Sequence, residues 1–190
     1  MDSHPFVWIH EPSRKIAFWA LAGLAILSMA ALQLLGGPLK TEASPAGIVS
    51  FELAGTIANT ERILESWDPG ARVYAGLNLG LDYLFIAGYV GAIGLGCVLV
   101  GTMLGRRARL VGGAGGYLAW TIVFAGVLDC VENYALVQLL LGSRQASLAA
   151  VARWCAVPKF LVVMVGLLYV LLGVLSFLVV ARGARPKEGG

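Results

Sequence analysis

The chain has 190 residues, of which 58% are hydrophobic and only 13% charged, with a formal net charge of +3 and a mean hydropathy of +0.81. An ordinary soluble domain is about 45–50% apolar and about 25% charged. A single soluble core of this size cannot absorb that surplus, so composition excludes a soluble enzyme or nucleic-acid-binding domain and implies an integral membrane protein.

A spanning helix needs about 20 mostly apolar residues. The first stretch that qualifies runs over residues 16–35. It follows Arg14 and Lys15 and contains Ser28-Met29-Ala30, which gives it the order of a signal peptide with a small-residue cleavage site. The apolar run continues through Leu32, Leu34 and Leu35, which extends it to spanning length and favours a retained span.

The turn-forming linker "GGPLKTEASPAG" comes next, and then "SFELAGTIANTERILESWDPG". In the latter, Leu53, Ile57, Thr60, Leu64 and Trp67 recur at helical spacing, with Glu52, Asn59, Arg62 and Glu65 away from that stripe. The pattern predicts one amphipathic helix over 51–67. Ser50 is its expected cap and Asp68-Pro69-Gly70 its stop. It would rest at the lipid–water boundary with Trp67 as anchor, or act as a lid over the bundle.

Further spans are expected over 74–103, 114–141 and 156–181. Gly76, Gly80, Gly88, Ala92 and Gly96 form an i+4 row in the second, interrupted by Leu84. The third opens with Gly112, Gly113, Gly115 and Gly116, and the fourth carries Gly166 and Gly173. Small residues let membrane helices approach closely. The expected fold is all-α, a single membrane domain built as a four-helix bundle, with the amphipathic helix on the extracytoplasmic side.

Orientation follows from the basic residues in short flanks. Arg14 and Lys15, then Arg106, Arg107 and Arg109, then Arg182, Arg185 and Lys187 fall on one side of a four-span chain. That side is expected to be cytoplasmic, with both termini inside, in the plasma membrane (the inner membrane of a bacterium). Topology accounts for these charges, so no nucleic-acid partner is implied.

Cysteines Cys97, Cys130 and Cys155 form no CxxC pair, which argues against thiol–disulfide exchange. Both histidines, His4 and His10, lie in the N-terminal tail. A membrane segment without His argues against a His-ligated haem and against a His-based zinc or di-iron site, and no cofactor is expected.

The spans nevertheless carry polar groups. At about 1.5 Å per residue, Asp82 lies roughly 12 Å below the outer start of its span, with Asn78 one turn above it. Glu132 and Asn133 lie roughly 12–14 Å from the outer end of theirs, and Asp129 nearer 18 Å. Asp129, Glu132 and Asn133 share one helix face through their i, i+3, i+4 spacing. Lys159 begins the fourth span and can carry its ammonium inward. Such groups cannot face lipid, because a charge at a helix centre costs about 2.5–3.5 kcal/mol on insertion scales.

One reading is a hydrogen-bonded clamp, with protonated acids bonded to the amides and to Tyr83, Tyr89 or Tyr134. Another is a polar pocket open to the outside, with Arg62 or Arg153 reaching in from the outer loops. That pocket would bind a cation or a polar lipid headgroup, relay protons, or use Asp129 and Glu132 as paired acid and base on a lipid-soluble substrate. Asp82, Asp129 and Glu132 are the set to consider for a hard metal ion. The expected partners are the bilayer, a lipid or cation ligand, and a homo-oligomer or larger membrane complex. In such a complex the chain could be an accessory subunit with purely structural acids.

The motifs "FEL", "RILESW", "LDY", "LDCVEN" and Lys159-Phe160 resemble those of bacterial four-span membrane proteins of unknown function, over Phe51 to Leu178. The resemblance carries no activity. It implies that Glu52, Arg62, Asp82, Asp129, Glu132, Asn133 and Lys159 belong to one constellation.

Overall fold

Apolar runs bounded by helix starters give four long helices. A computed structural model describes residues 4–105 and 109–183, and among these there is no strand. Helix α1 is Glu11–Leu35, with a proline in its first turn and a Gly-Gly-Pro exit. Two short helices follow, α2 at Ile48–Glu52 and α3 at Ile57–Ser66. The long helices α4, Pro69–Gly105, α5, Arg109–Leu140, and α6, Ala146–Gly183, complete the chain. Four helices, α1 and α4 to α6, are long and apolar enough to cross a membrane, which makes this a multi-pass membrane protein. Arg106, Arg107, Arg185 and Lys187, which bear on orientation, lie outside the described residues.

The connection after α1 differs from the single helix expected over 51–67. The chain breaks at Gly55, whose φ of 70° is left-handed, and Thr56 caps α3 by accepting a bond from Asn59 N. Ser50 sits inside α2, where its hydroxyl accepts from Ala46 N. The Asp68-Pro69-Gly70 stop is a start: Asp68 Oδ1 accepts from Ala71 N at 2.7 Å, and Pro69 opens α4. Proline lacks the N–H that a first helical position leaves unpaired, so Asp-Pro suits a helix beginning as well as an end.

Trp67 is no boundary anchor. It is buried, and its Nε1 donates to Leu39 O at 3.0 Å and to Ser44 Oγ at 3.1 Å. It centres a core that includes Leu39, Phe51, Ile63, Leu79, Leu136 and Leu139. That core joins α2 and α3 to the near ends of α4, α5 and α6 as a cap. A 37-residue helix such as α4 is about 55 Å long, against a hydrocarbon thickness of about 30 Å, so the helices have length to spare for it. A second apolar core, with Phe6, Ile86, Tyr89, Ile93, Leu95, Ala119 and Ile122, fills the far half of the bundle.

Helix α4 is the centre: most of its apolar stretch is buried, whereas α1 and α6 present most of theirs outward. The glycine row divides by position. Gly76 and Gly80 are exposed, while Gly88 lies against the backbone of Ala25 in α1 and Gly96 against Val170 of α6. A Cβ on Gly88 would stand 2.7 Å from Ala25 N and 2.9 Å from its Cα, atoms that cannot rotate away. A Cβ on Gly80 would meet nothing within 4 Å.

Gly88→Ala is therefore expected to destabilise the protein by about 1–3 kcal/mol, as forced overpacking does. Gly80→Ala should be neutral or stabilising by up to about 1 kcal/mol through helix propensity. Unfolding of both variants in detergent by circular dichroism checks the pair, and equal effects would contradict the packing.

Candidate functional site

The spacing of Asp129, Glu132 and Asn133 turns all three inward on α5, where each is buried, while Val131 and Tyr134 between and beyond them face outward. From α6, Lys159 follows Pro158, whose missing N–H leaves the Trp154 carbonyl without its helical donor. The Lys159 ammonium turns into the bundle and is buried. Its Nζ stands 2.6 Å from Asp129 Oδ1, 2.8 Å from Glu132 Oε2 and 3.9 Å from Glu52 Oε2. Tyr89 of α4 donates its hydroxyl to the other Asp129 oxygen at 2.9 Å. One acid thus ties α4, α5 and α6 together, and Glu52 brings α2 to the same point.

Glu132 is fully buried, and its Oε2 faces the Lys159 ammonium at 2.8 Å. Three carboxyl groups, those of Glu52, Asp129 and Glu132, share one ammonium. If all were ionised, two negative charges would be left over in a buried place.

Asp82 stands at the edge, half-buried, and accepts from Asn133 Nδ2 at 2.7 Å. Asn78 is elsewhere: its Nδ2 donates to Leu32 O at 3.0 Å and pins the end of α1 to α4. Arg62 does not reach the acids either. It is exposed on α3 and donates to Asn59 Oδ1. Of the three tyrosines considered as partners, Tyr83 and Tyr134 are exposed and only Tyr89 joins the acids. Arg153 belongs to the first turns of α6, which begins at Ala146 and well before the expected position 156.

The cluster is closed. Asp129, Glu132 and Lys159 are buried beneath α2, in place of the expected pocket open to the outside. No group of three or more acidic, histidine or cysteine side chains among the described residues is disposed to hold a metal ion. The Lys159 ammonium lies between Asp129 and Glu132, where such an ion would sit, and Asn133 engages Asp82. The set Asp82, Asp129 and Glu132 therefore does not make a metal centre in this arrangement.

Glu52 lies in the cap, with its side chain 13% exposed. Burial pushes its carboxyl above the ordinary value of 4.5; Lys159 pulls it down, and Asp82 and Asp129 push it up again, with a net rise.

Comparison with known protein families, with curated proteins and with solved structures gave no match. Fold and site define the class on their own: an all-helical, multi-pass membrane protein with a buried acid–lysine cluster between its cap and its apolar core.

Two outcomes follow. Lys159→Met leaves buried carboxyls without their cation and should cost about 3–5 kcal/mol, the usual effect of breaking a buried pair. Adding Asp129→Asn and Glu132→Gln should recover most of that loss, as unfolding in detergent would show. Glu52 governs the second outcome. Its raised value means that the folded state holds the proton more tightly than the unfolded state. Its stabilising contribution is therefore fully present below 4.5 and is lost as pH rises through the folded value. Glu52→Gln should flatten the decline in melting temperature as pH rises from about 5 towards alkaline, relative to the native protein.

Proposed function

We propose that this is a non-enzymatic protein of the bacterial inner membrane whose acid–lysine cluster binds a cation at the capped face, a proton being the species with the least steric demand. The observation that carries the reading is the gathering of three carboxyl groups, those of Glu52, Asp129 and Glu132, around the single buried ammonium of Lys159. Two excess negative charges in a buried cluster require protons or another cation, because desolvation and like-charged neighbours both disfavour ionised carboxylates. The amine of a lipid headgroup is the larger alternative and would need α2 to move aside. The basic residues Arg14, Lys15 and Arg106 to Arg109 support a cytoplasmic opposite face, with the cap outside and both termini inside. The resemblance to bacterial four-span proteins supports the inner membrane as the location.

A specific observation favours a second reading. Tyr89, Asp129 and Lys159 bond α4, α5 and α6 to one another, which is what a purely structural clamp in an accessory subunit would do. Paired-acid catalysis fits less well, because the Lys159 ammonium engages both Asp129 and Glu132.

Potentiometric titration of detergent-purified protein separates the two. Under the cation reading, the native protein exchanges more protons per chain over the titration than Asp129→Asn/Glu132→Gln, and the variant melts at the same temperature or higher. Superimposable titrations together with a collapsed melting temperature would overturn it in favour of the clamp.

A further inference from the structure

A second polar feature lies in the cap, apart from the acids. A cavity of about 230 Å³ opens between α2, α3 and the first turns of α6, with Ser50, Asn59, Arg62 and Arg153 as its polar lining and no carboxyl group among the lining residues. Neither Arg62 nor Arg153 makes an ion pair among the described residues, although α3 carries Glu61 and Glu65. Arg144, by contrast, pairs with Glu61 at 3.3 Å.

The backbone is shaped around one of these cations. Gly55, at φ 70°, lies under the Arg153 side chain, and a Cβ there would stand 2.6 Å from Arg153 Cδ and 3.0 Å from Nη1. The break between α2 and α3 therefore makes room for the guanidinium to lie across the turn. Ser50 accepts from Ala46 N, which leaves its hydroxyl proton free to donate into the cavity. Arg62 spends one N–H on Asn59 and keeps the rest of its fork.

We propose that Arg62 and Arg153, with the Ser50 hydroxyl, form a binding pocket for a phosphate group, supplied either by a phospholipid headgroup or by soluble phosphate. Two guanidinium forks without an opposing carboxylate suit bidentate pairing with phosphate oxygens. At about 30 Å³ per water molecule, the cavity has room for several waters and hence for a tetrahedral oxyanion. Trp154, next to Arg153, is exposed, as are Val157, Phe160 and Leu161 beyond it. Tryptophan favours the headgroup level, which supports lipid phosphate as one source of the group. The proposal does not depend on proton exchange at the acid cluster.

The test compares the native protein with Arg62→Gln/Arg153→Gln and with Lys40→Gln, an exposed cation outside the cavity lining. The melting temperature in non-ionic detergent is followed against inorganic phosphate, and separately against dioleoyl phosphatidic acid in mixed micelles. Phosphate also stabilises proteins by exclusion from their surface, so the difference between native and variant is the readout. A saturable rise with inorganic phosphate that weakens about tenfold or more in the double variant, and persists in Lys40→Gln, places a soluble anion in the pocket. The same pattern with phosphatidic acid alone assigns it to lipid. Equal shifts in native and double-variant protein, or no saturable shift with either probe, would overturn the proposal. Each single glutamine variant should weaken binding in the same direction, which keeps the test open if the double variant does not fold.

Discussion

The contact on which most of this structure depends is the Lys159 ammonium buried among carboxyl groups. A lysine in that place is tolerable only if anions reach it from its neighbours, and anions there are tolerable only if the lysine arrives. The requirement is mutual, so it fixes geometry. It sets the depth of α6 against α5 through Asp129 and Glu132, and of α5 against α4 through Tyr89. It also draws Glu52, and with it α2, down onto the bundle. Apolar packing alone would leave helices free to slide by a turn, because leucine and valine ridges repeat along every helix. A charge with few possible partners does not allow that freedom.

The location of the cluster follows from the two apolar cores. Above it, Trp67, Phe51 and Leu39 assemble a cap that resembles the interior of a small soluble domain, with its indole N–H and hydroxyl groups paired. Below it, glycines let α4 come close to its neighbours, most tightly where Gly101 and Gly105 meet Gly112 and Gly115 at the far end. Neither core can hold a charge. The seam between them, where four elements converge and α2 covers the site, can do so because the Lys159 ammonium faces carboxyl groups from two of those elements.

Hydropathy made the four long helices legible in the sequence, and the i, i+3, i+4 spacing showed that Asp129, Glu132 and Asn133 share a face. Lys159 was legible as a cation that could turn inward to meet them, beside Arg62 and Arg153 from the loops. What the sequence hid was mainly partner choice. Asn78 has the residue type of a cluster member and lies one turn above Asp82, but a carbonyl at the end of α1 claims it first. Arg62 lies within "RILESW", but α3 turns it towards the cap surface. The second outcome follows the break at Gly55, and a lone glycine inside an amphipathic pattern reads as a tolerated helical residue. Asp68-Pro69-Gly70 was ambiguous for a related reason: its residue types both end and begin helices, and only the continuation decides. Trp67 misled because an indole suits an interface as well as a core whose N–H finds an acceptor.

The apolar half beneath Tyr89 limits what the cluster can do. From Ile93 through Leu95 and Val98 on α4, and from Ile122 to Ala119 on α5, the buried side chains are hydrocarbon apart from the Cys97 thiol. The hydrogen-bonded series from Lys159 through Asp129 reaches Tyr89, and deeper in that core the Cys97 thiol donates to Gly166 O instead of extending it. A carrier of protons or ions across the bilayer needs acceptors or water along the whole path, or a rearrangement that exposes the site to each side in turn. The second route would break the contacts that Gly88, Gly96 and Gly115 make with neighbouring helices, many of them backbone against backbone. The first would have to pass through a close-packed apolar core. Among the described residues, the cluster therefore lies between the cap and this core, with α2 as its cover. Glu52, carried by α2, is the one acid of the Lys159 group that lies outside the spans, so the cluster joins the cap to the bundle as well as the long helices to one another.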